Sequence, residues 1–327
     1  MPELIPVLVT GGAGYVGSHV CKLLHQSGFL PITYDDLSTG HEKAVRWGPF
    51  IQGDIADGEK LVEVFREYQP VAVLHFAAKA YIGESMVLPA EYYRTNVAGS
   101  LSLLEAMRRV GITKLVFSSS CATYGIPAQQ PITEDEVQAP INPYGQTKLI
   151  VEKVLQDFAA AYQFSSAILR YFNAAGADPE GEIGEEHDPE PHLIPNVLKA
   201  VSGGDPLVIH GADYPTPDGT CIRDYIHVCD LATAHVAALR ALLEGRTSFA
   251  CNLGTGRGSS VLEILTAVKK ITGKSVPHDF GPRRPGDPAE LVALTARAHD
   301  LLGWKPSHSD LETIIKTAWQ WHQSQLD

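Results

Sequence analysis

The chain reads as an α/β protein: a doubly wound parallel sheet followed by a smaller C-terminal α/β lobe. Three observations predict this. Short runs rich in Val, Ile and Leu alternate with helix-length patterns through the first half, and a glycine-rich turn joins the first such run to the first helix. After Asn173 the alternation gives way to a segment dense in Gly, Pro and acids. Apolar strands separated by helices imply a parallel sheet covered on both faces, which is the doubly wound arrangement.

Taken in order, Leu4–Thr10 is predicted as a strand, Val16–Gln26 as a helix and Pro31–Asp35 as a strand. Phe50–Asp54 follows as a short strand, Leu61–Tyr68 as a helix and Val71–Phe76 (VAVLHF) as a strand. Ala90–Val110 has the pattern of a long helix, Lys114–Ser119 (KLVFSS) of a strand, Asn142–Tyr162 of a helix and Ser166–Tyr171 of a further strand. The stretch AAGADPEGEIGEEHDPEPHLIP, from Ala174 to Pro195, reads as a loop crossing to another lobe. Beyond it a helix at Leu193–Ser202 and a strand at Leu207–His210 begin a second alternating set, and Asp224–Leu243 is apolar enough to pack back on the first lobe.

Composition narrows the function. Of 327 residues, 44% are hydrophobic and 20% charged, which suits a soluble globular protein with a sizeable core. A formal net charge of −12 with no Lys/Arg cluster argues against nucleic-acid or anionic-membrane partners. The five cysteines (Cys21, Cys121, Cys221, Cys229, Cys251) have no metal-type spacing and read as reduced core residues, so a cytoplasmic location is expected. MPEL runs straight into an apolar strand without a secretory pattern, and no apolar run approaches the ~20 residues of a membrane span.

The turn after the first strand is GGAGYVGSH. Gly12, Gly14 and Gly17 satisfy G-x-G-x-x-G, and Gly11, Gly14 and Gly17 satisfy G-x-x-G-x-x-G. Such glycines allow the tight turn and let a pyrophosphate approach the backbone N–H groups at a helix N-terminus. The loop follows a strand, opens a helix and is followed 18 residues after Gly17 by Asp35, where a carboxylate can accept the hydroxyls of an adenosine ribose. Asp36 and Leu37 come next, with no basic residue to receive a 2′-phosphate, so NAD is favoured over NADP. Asp54 and Ile55 suit the adenine edge.

A second signal is NPYGQTK. Tyr144 and Lys148 stand four apart on a predicted helix and so share a face. A cation near a phenol favours phenolate. The strand Lys114–Ser119 runs into SSSCATYG, which places Ser118, Ser119 and Ser120 at the C-terminal end of a parallel strand, where doubly wound sheets bind ligands. Ser120, Tyr144 and Lys148 are thus the parts of an acid–base site. Ser120 would hydrogen-bond the reacting hydroxyl, Tyr144 would move the proton, and Lys148 would hold the cofactor ribose and acidify the phenol. Bringing a tyrosine from pH ~10 to ~7 takes about 4 kcal/mol, which Lys148 and a positive nicotinamide can share.

The segments TGGAGYVGSH, HFAAKAYIGES, FSSSCATYG, NPYGQTK, RYFNAAGADP, DGTCIRDYIHV, NLGTG and RRPGDP occur in this order from Thr10 to Pro288. Together they resemble the extended short-chain dehydrogenase/reductase family, and within it the UDP-glucose 4-epimerases, over nearly the whole chain. The YxxxK core marks the superfamily; the later segments mark nucleotide-sugar epimerases. The resemblance implies a Rossmann-type NAD-binding domain at residues 1–175 and a nucleotide-sugar-binding domain at 176–327, with part of 220–245 packing back on the first. It implies NAD contacts at Gly11, Gly14, Tyr15, Val16, Gly17, Asp35, Asp36, Asp54, Ile55, Phe76, Ala77, Ala78, Asn96, Lys148 and Phe172, with Ser120 and Tyr144 catalytic. Asn173, His192, Leu193, Arg223, Arg284, Asp287 and Leu291 match positions toward the UDP-sugar. Arginines pair bidentately with phosphate oxygens, and an aspartate can hold ribose hydroxyls.

The implied activity is interconversion of UDP-glucose and UDP-galactose by transient oxidation at C4, in a homodimer that pairs the helices of Ala90–Val110 and Asn142–Tyr162 through residues such as Leu101, Leu104, Leu149 and Val154. The sequence departs from the family in three places. Ala80 stands where many relatives carry a lysine, with Lys79 one residue earlier; CATYG replaces the commoner ATVYG; and Leu291 stands where several relatives have tyrosine. In the family this residue lies against the sugar, so the resemblance implies a wider pocket that also accepts UDP-N-acetylhexosamines, unless Leu291 is a core residue of a repacked loop. Competing readings are a UDP-pentose or UDP-uronate 4-epimerase, which needs the same C4 machinery, and a sugar 4,6-dehydratase, disfavoured because Cys121 and Ala122 stand where it needs acids. A nucleotide-sensing binding protein is opposed by the intact Ser120, Tyr144 and Lys148. No metal site is expected.

Overall fold

The computed structural model describes residues 4–284 and 287–326. Pro285 and Gly286 of the RRPGDP segment lie outside the described residues. The chain opens with β1 (Ile5–Thr10), α1 (Tyr15–Gln26), β2 (Phe29–Asp35), β3 (Phe50–Gln52), α2 (Gly58–Tyr68) and β4 (Val73–His75). Then come α3 (Ile82–Val87), α4 (Pro89–Tyr92), a π-helical segment at Tyr93–Gly99, α5 (Ser100–Val110), β5 (Lys114–Ser120), α6 (Pro143–Tyr162), β6 (Ser165–Tyr171) and β7 (Asn173–Ala175). The remainder runs α7 (Leu193–Val201), β8 (Leu207–His210), β9 (Ile222–Arg223), β10 (Tyr225–His227), α8 (Val228–Leu243), β11 (Phe249–Leu253) and β12 (Ser259–Ser260). It closes with α9 (Val261–Thr272), β13 (His278–Gly281), β14 (Glu290–Leu291), α10 (Ala296–Leu302) and α11 (Leu311–Ser324).

Among the described residues, seven strands form one parallel sheet in the order β11-β6-β5-β4-β1-β2-β3. Its inner strands are buried on both faces: Val7, Leu8 and Val9 of β1 have no exposure at all. Because β1 lies between β4 and β2, the connections leave in opposite directions from its two sides. That switch point opens a crevice beyond the carboxyl ends of the strands. Asparagine and proline start α6: Asn142 accepts a hydrogen bond from Gly145 N, and Pro143 occupies the first turn, where its missing N–H costs nothing. Ser260 and Glu263 form a reciprocal capping box on α9.

One apolar core lies on each side of the sheet, and a third gathers around α7, α9 and α11, with β8 and β10. Helix α8 packs against α1 and lies on β5 and β6.

Several elements differ from the sequence prediction. Strand β3 stops at Gln52, because Asp54 turns the chain by accepting Ala56 N at 2.8 Å. Helix α3 was not foreseen. The long helix predicted over Ala90–Val110 carries the π-helical turn, where the tight approach of Gly99 to Ile55 and the clamping of Asn96 displace the regular ladder. Strand β11 joins the main sheet from far along the chain, pairing Cys251 with Leu169 and Asn252 with Arg170. Leu104 and Leu149, expected on a surface seam, face the interior, whereas Leu101 is 44% exposed.

Candidate active site

The crevice at the switch point is floored by the loop between β1 and α1. Gly11 adopts φ +73°, a left-handed conformation that favours glycine, and a Cβ there would lie 2.5 Å from Ala77 N. A Cβ on Gly17 would lie 2.1 Å from the Gly11 carbonyl oxygen, so helix and turn touch backbone to backbone. Gly14 is different. A Cβ there would meet only the Gly11 oxygen, at 3.4 Å, and α1 starts at this residue with no side-chain cap. The first-turn N–H groups of α1 therefore face space that a phosphate can occupy.

Around this loop the structure gathers most of the residues expected to hold a dinucleotide. Asp35 ends β2 with its carboxylate pinned by Ala13 N at 3.0 Å and Leu37 N at 2.9 Å, one bond to each oxygen, leaving lone pairs for hydroxyl donors. Burial raises its pKa, and the two backbone donors oppose the rise. Asp36 is exposed and accepts Ser38 N at 2.9 Å. Asp54 is exposed beside β3, whereas Ile55 is buried in the core. Phe76 N and Ala77 N both donate to the Thr10 carbonyl, at 2.9 and 3.1 Å, so the strand ends on either side of the crevice are joined; Ala78 continues that edge. Tyr15 donates its hydroxyl to Gly176 O at 2.6 Å, tying the glycine loop to the crossing segment, and Val16 packs into the core below.

Asn96 is buried and clamps the loop beyond β4. Its amide accepts Lys79 N at 2.8 Å and donates to Lys79 O at 2.9 Å and Thr147 Oγ1 at 3.0 Å. The Lys79 ammonium turns away to Glu91 at 2.7 Å.

On the other wall stand the catalytic candidates. Ser120 is the last residue of β5, and Tyr144 and Lys148 lie on the first turns of α6; all three are buried. The Lys148 ammonium donates to Ser118 O at 2.8 Å and sits 5.9 Å from the Tyr144 ring centre. Burial lowers its pKa to about 8, with Glu152 opposing. For Tyr144 the expected acidification is not what the protein alone produces: burial drives the phenol well above its usual range, Tyr171 adds to the rise, and Ser120 pulls the other way. Desolvation sets the direction of the shift. Burial thus favours the protonated phenol.

Toward the second lobe, β14 pairs with β9 so that Leu291 lies opposite Arg223. Arg223 is buried, donates to its neighbour's Ile222 carbonyl at 2.7 Å and forms a short ion pair with Asp287. Arg284 is exposed one turn away, its carbonyl accepting Asp287 N at 3.2 Å. Asn173 opens β7, and Phe172, Cys121 and Leu291 pack in one small cluster with Tyr124, Ile132 and Ala293, which brings Leu291 next to the end of the serine strand. His192 precedes α7 without capping it through its side chain, which turns to Glu185 and Glu190, while Leu193 begins the helix and packs into the third core.

The sequence reading missed Glu152. It is buried one helical turn beyond Lys148, accepts Ser119 Oγ at 2.5 Å and Arg170 Nη2 at 2.7 Å, and so locks α6 to β5 and β6. The i, i+4, i+8 spacing of Tyr144, Lys148 and Glu152 was the available signal. His235 of α8 was missed as well; it is fully buried with Nε2 3.4 Å from Ser118 Oγ.

Comparison with known proteins gives concordant results. Residues 7–254 match the model of the NAD dependent epimerase/dehydratase family. A UDP-glucose 4-epimerase of Rhizobium meliloti is 51% identical over 317 residues, covering 97% of this chain and 96% of that protein. A UDP-glucose 4-epimerase from Brucella ovis, crystallised in complex with NAD, superposes with a TM-score of 0.95 at 56% identity, covering 96% of this chain and 97% of that one. One from Bifidobacterium longum, in complex with NAD+ and UDP, superposes with a TM-score of 0.93 at 36% identity, covering 98% and 99%. Among the described residues, no helix is long and apolar enough to cross a membrane.

Proposed function

This chain belongs to the NAD dependent epimerase/dehydratase family, and from that premise we propose that it interconverts UDP-glucose and UDP-galactose by transient oxidation at C4, with NAD as a resident cofactor. The residues present fit NAD. The Gly14 cradle and the uncapped start of α1 suit a pyrophosphate. Asp35 keeps acceptor capacity at the end of β2, and Lys148, with three N–H groups, gives one bond to Ser118 O and so keeps donors for ribose hydroxyls. Bound NAD supplies a reversible store for the C4 hydrogen.

The chain's own residues do the rest. Tyr144 exchanges the proton of the sugar 4-hydroxyl, and Ser120 holds that hydroxyl in line with the phenol. Lys148 and the positive charge of the oxidised cofactor together offset the burial that keeps the phenol protonated. Arg223, with Arg284, takes the diphosphate, and Asp287, freed from Arg223, receives ribose hydroxyls beside Asn173. Inversion requires that the sugar present both faces of C4 to one hydrogen store. A UDP held by charged groups and a hexose held by few of them permit that turn. The observation that carries this reading is the convergence of Ser120, Tyr144 and Lys148 on the crevice beside an uncapped, glycine-lined helix start.

Two finer points belong to the same proposal. The protein acts as a homodimer, through the helices that carry Leu101 and Tyr162, both of them exposed. It works in the cytoplasm, in keeping with five free cysteines and a water-soluble nucleotide-sugar substrate. The decisive test is incubation of the purified protein with UDP-galactose and chromatographic resolution of products. UDP-glucose is expected to form until the two sugars reach equilibrium; an unchanged substrate pool refutes the assignment.

A further inference from the structure

The segment that crosses to the second lobe carries Glu185, His187, Glu190 and His192, and one ligand-type atom from each lies within 4.8 Å of all the others. Glu185 and Glu190 have side chains only 5% and 3% exposed. Carboxylates so deeply buried need compensation. What surrounds them is the Nδ1 edge of both imidazoles. His192 Nδ1 lies 2.5 Å from Glu185 Oε1 and 3.4 Å from Glu190 Oε1; His187 Nδ1 lies 3.3 Å from Glu185 Oε1 and 3.6 Å from Glu190 Oε2.

Despite these distances, Glu185 Oε1 and His187 Nδ1 have no hydrogen-bond partner. At these two atoms the ring N–H and the carboxylate oxygen are close without being aligned. A simple ion pair between protonated imidazoles and carboxylates would align its N–H groups on the oxygens. Here ring nitrogens and carboxylate oxygens converge on a common point instead, with two buried polar atoms left over.

An ion at that point satisfies them all. A tetrahedral Zn²⁺ with Zn–N and Zn–O bonds of about 2.0–2.2 Å sets ligand–ligand edges of about 3.3–3.5 Å. With Glu190 Oε1 as its ligand atom, the 3.3 Å edge from His187 Nδ1 to Glu185 Oε1 and the 3.4 Å edge from His192 Nδ1 to Glu190 Oε1 already match, the 2.5 Å edge from His192 Nδ1 to Glu185 Oε1 has to open, and all four atoms lie within 4.8 Å of one another. Two imidazole nitrogens with two carboxylate oxygens select a borderline divalent transition metal over Ca²⁺ or Mg²⁺, which take mostly oxygen ligands. A cavity of about 300 Å³, bounded by Glu185, His187 and Glu190 with Leu198, Trp321 and His322, gives the ion a way in. A neighbouring cluster of Asp178, Glu180 and Glu182 makes the contrast clear: it already encloses its cation, the Lys22 ammonium, at 2.9, 2.5 and 2.7 Å.

We propose that Glu185, His187, Glu190 and His192 bind one divalent transition-metal ion of the Zn²⁺ class. The ion cross-links the crossing segment to the start of α7. It also fixes the His187 ring against Tyr15 and Tyr81, whose ring centres lie 6.4 and 5.6 Å away, and so braces the glycine loop from behind.

The test uses full-length protein purified with a chelator, dialysed and titrated with ZnCl₂ in a calorimeter. One equivalent per chain is expected, with a melting temperature raised by about 4 °C at a hundredfold excess over Kd. Both effects should vanish in Glu185→Gln/His187→Gln. Binding below half an equivalent in the wild type, or unchanged binding in the double variant, overturns the proposal. Should the double variant not fold, Co²⁺ loaded into the wild type decides alone. Visible bands of a four-coordinate nitrogen–oxygen site support it, and thiolate charge-transfer absorption, marking cysteine ligation, refutes it.

Discussion

Arg170 grips Glu152 from two sides directly behind the serine strand: its Nε lies 3.1 and 3.2 Å from the two carboxylate oxygens, and its Nη2 2.7 Å from Oε2. Both groups are buried, and Ser119 Oγ completes the cluster at 2.5 Å. Breaking a buried pair by removing one partner costs about 3–5 kcal/mol, because the survivor is left uncompensated. Glu152→Ala is therefore expected to lower the urea midpoint of unfolding strongly. Arg170→Met in the Glu152→Ala background should recover part of the loss, since no lone charge then remains. An additive double variant would show that the pair carries no coupling.

Tyr144 and Lys148 share a helix face but are expected to fail differently. Tyr144→Phe removes the group proposed to move the proton and should lower kcat by about 10²–10⁴-fold, while UDP binds as before. Lys148→Met should reduce the NAD retained per chain on purification, read from absorbance of the denatured extract. Near-normal turnover in Tyr144→Phe would remove it from the chemistry.

Acid should unfold this protein through its buried histidines. His19, His75, His227 and His235 are all buried, and burial lowers their pKa values to about 4, 3, 4 and 4. The unfolded chain takes up each proton near pH 6.5 and the folded chain only near these lower values. Between the two, the unfolded state binds the extra proton, so the contribution is whole above pH 6.5 and is lost as pH falls toward 4. A depression of this size is worth about 3 kcal/mol per histidine. His235→Gln should flatten the fall of unfolding free energy between pH 6.5 and 4 by that amount, and parallel curves for the two proteins would contradict it.

Leu291 stands opposite Arg223 and packs with Phe172 and Cys121. In the proposed sugar site a tyrosine at this position would fill space beside the hexose, and steric discrimination of this kind is worth about 1–3 kcal/mol. The wild type should therefore epimerise UDP-N-acetylglucosamine more slowly than UDP-glucose. Leu291→Tyr should depress kcat/KM for the N-acetyl substrate about 10–100-fold while sparing UDP-glucose. Equal losses on both substrates would make Leu291 a packing residue only.

For the homodimer, Leu101→Glu places a charge on an exposed apolar position without disturbing the core. Light scattering at micromolar concentration should give twice the chain mass for the wild type and a lighter species for the variant. A wild-type monomer would rule the dimer out.

The elements most legible in the sequence were those whose chemistry is local. The glycine loop, Asp35 eighteen residues after Gly17 and the Tyr144–Lys148 pair each declare themselves within one turn or one strand–helix unit, and the structure sets them around one crevice. What the sequence concealed depends on distant chain. FACNL is an apolar run like many others, and only tertiary pairing with Ser165–Tyr171 makes it an edge of the main sheet. Leu104 and Leu149 read as candidates for a surface seam until their faces are fixed by the sheet beneath. The direction of the Tyr144 shift was hidden for the same reason: helix spacing shows the nearby cation, but not the burial that raises the phenol's pKa.

The place of β11 has a consequence for how the molecule is made. Ribosomal synthesis at about 5–20 residues per second separates the end of β6 from the end of β11 by roughly 4–16 seconds. During that interval the nascent sheet presents the free backbone edge of Ser165–Tyr171, an apolar strand that another chain can pair with. The sheet becomes complete only when Leu253 has left the exit tunnel, after much of the second lobe has already been made. Newborn chains are thus exposed to misassembly late in translation, and substitutions in FACNL should show first as poor soluble yield, ahead of any change in the finished enzyme.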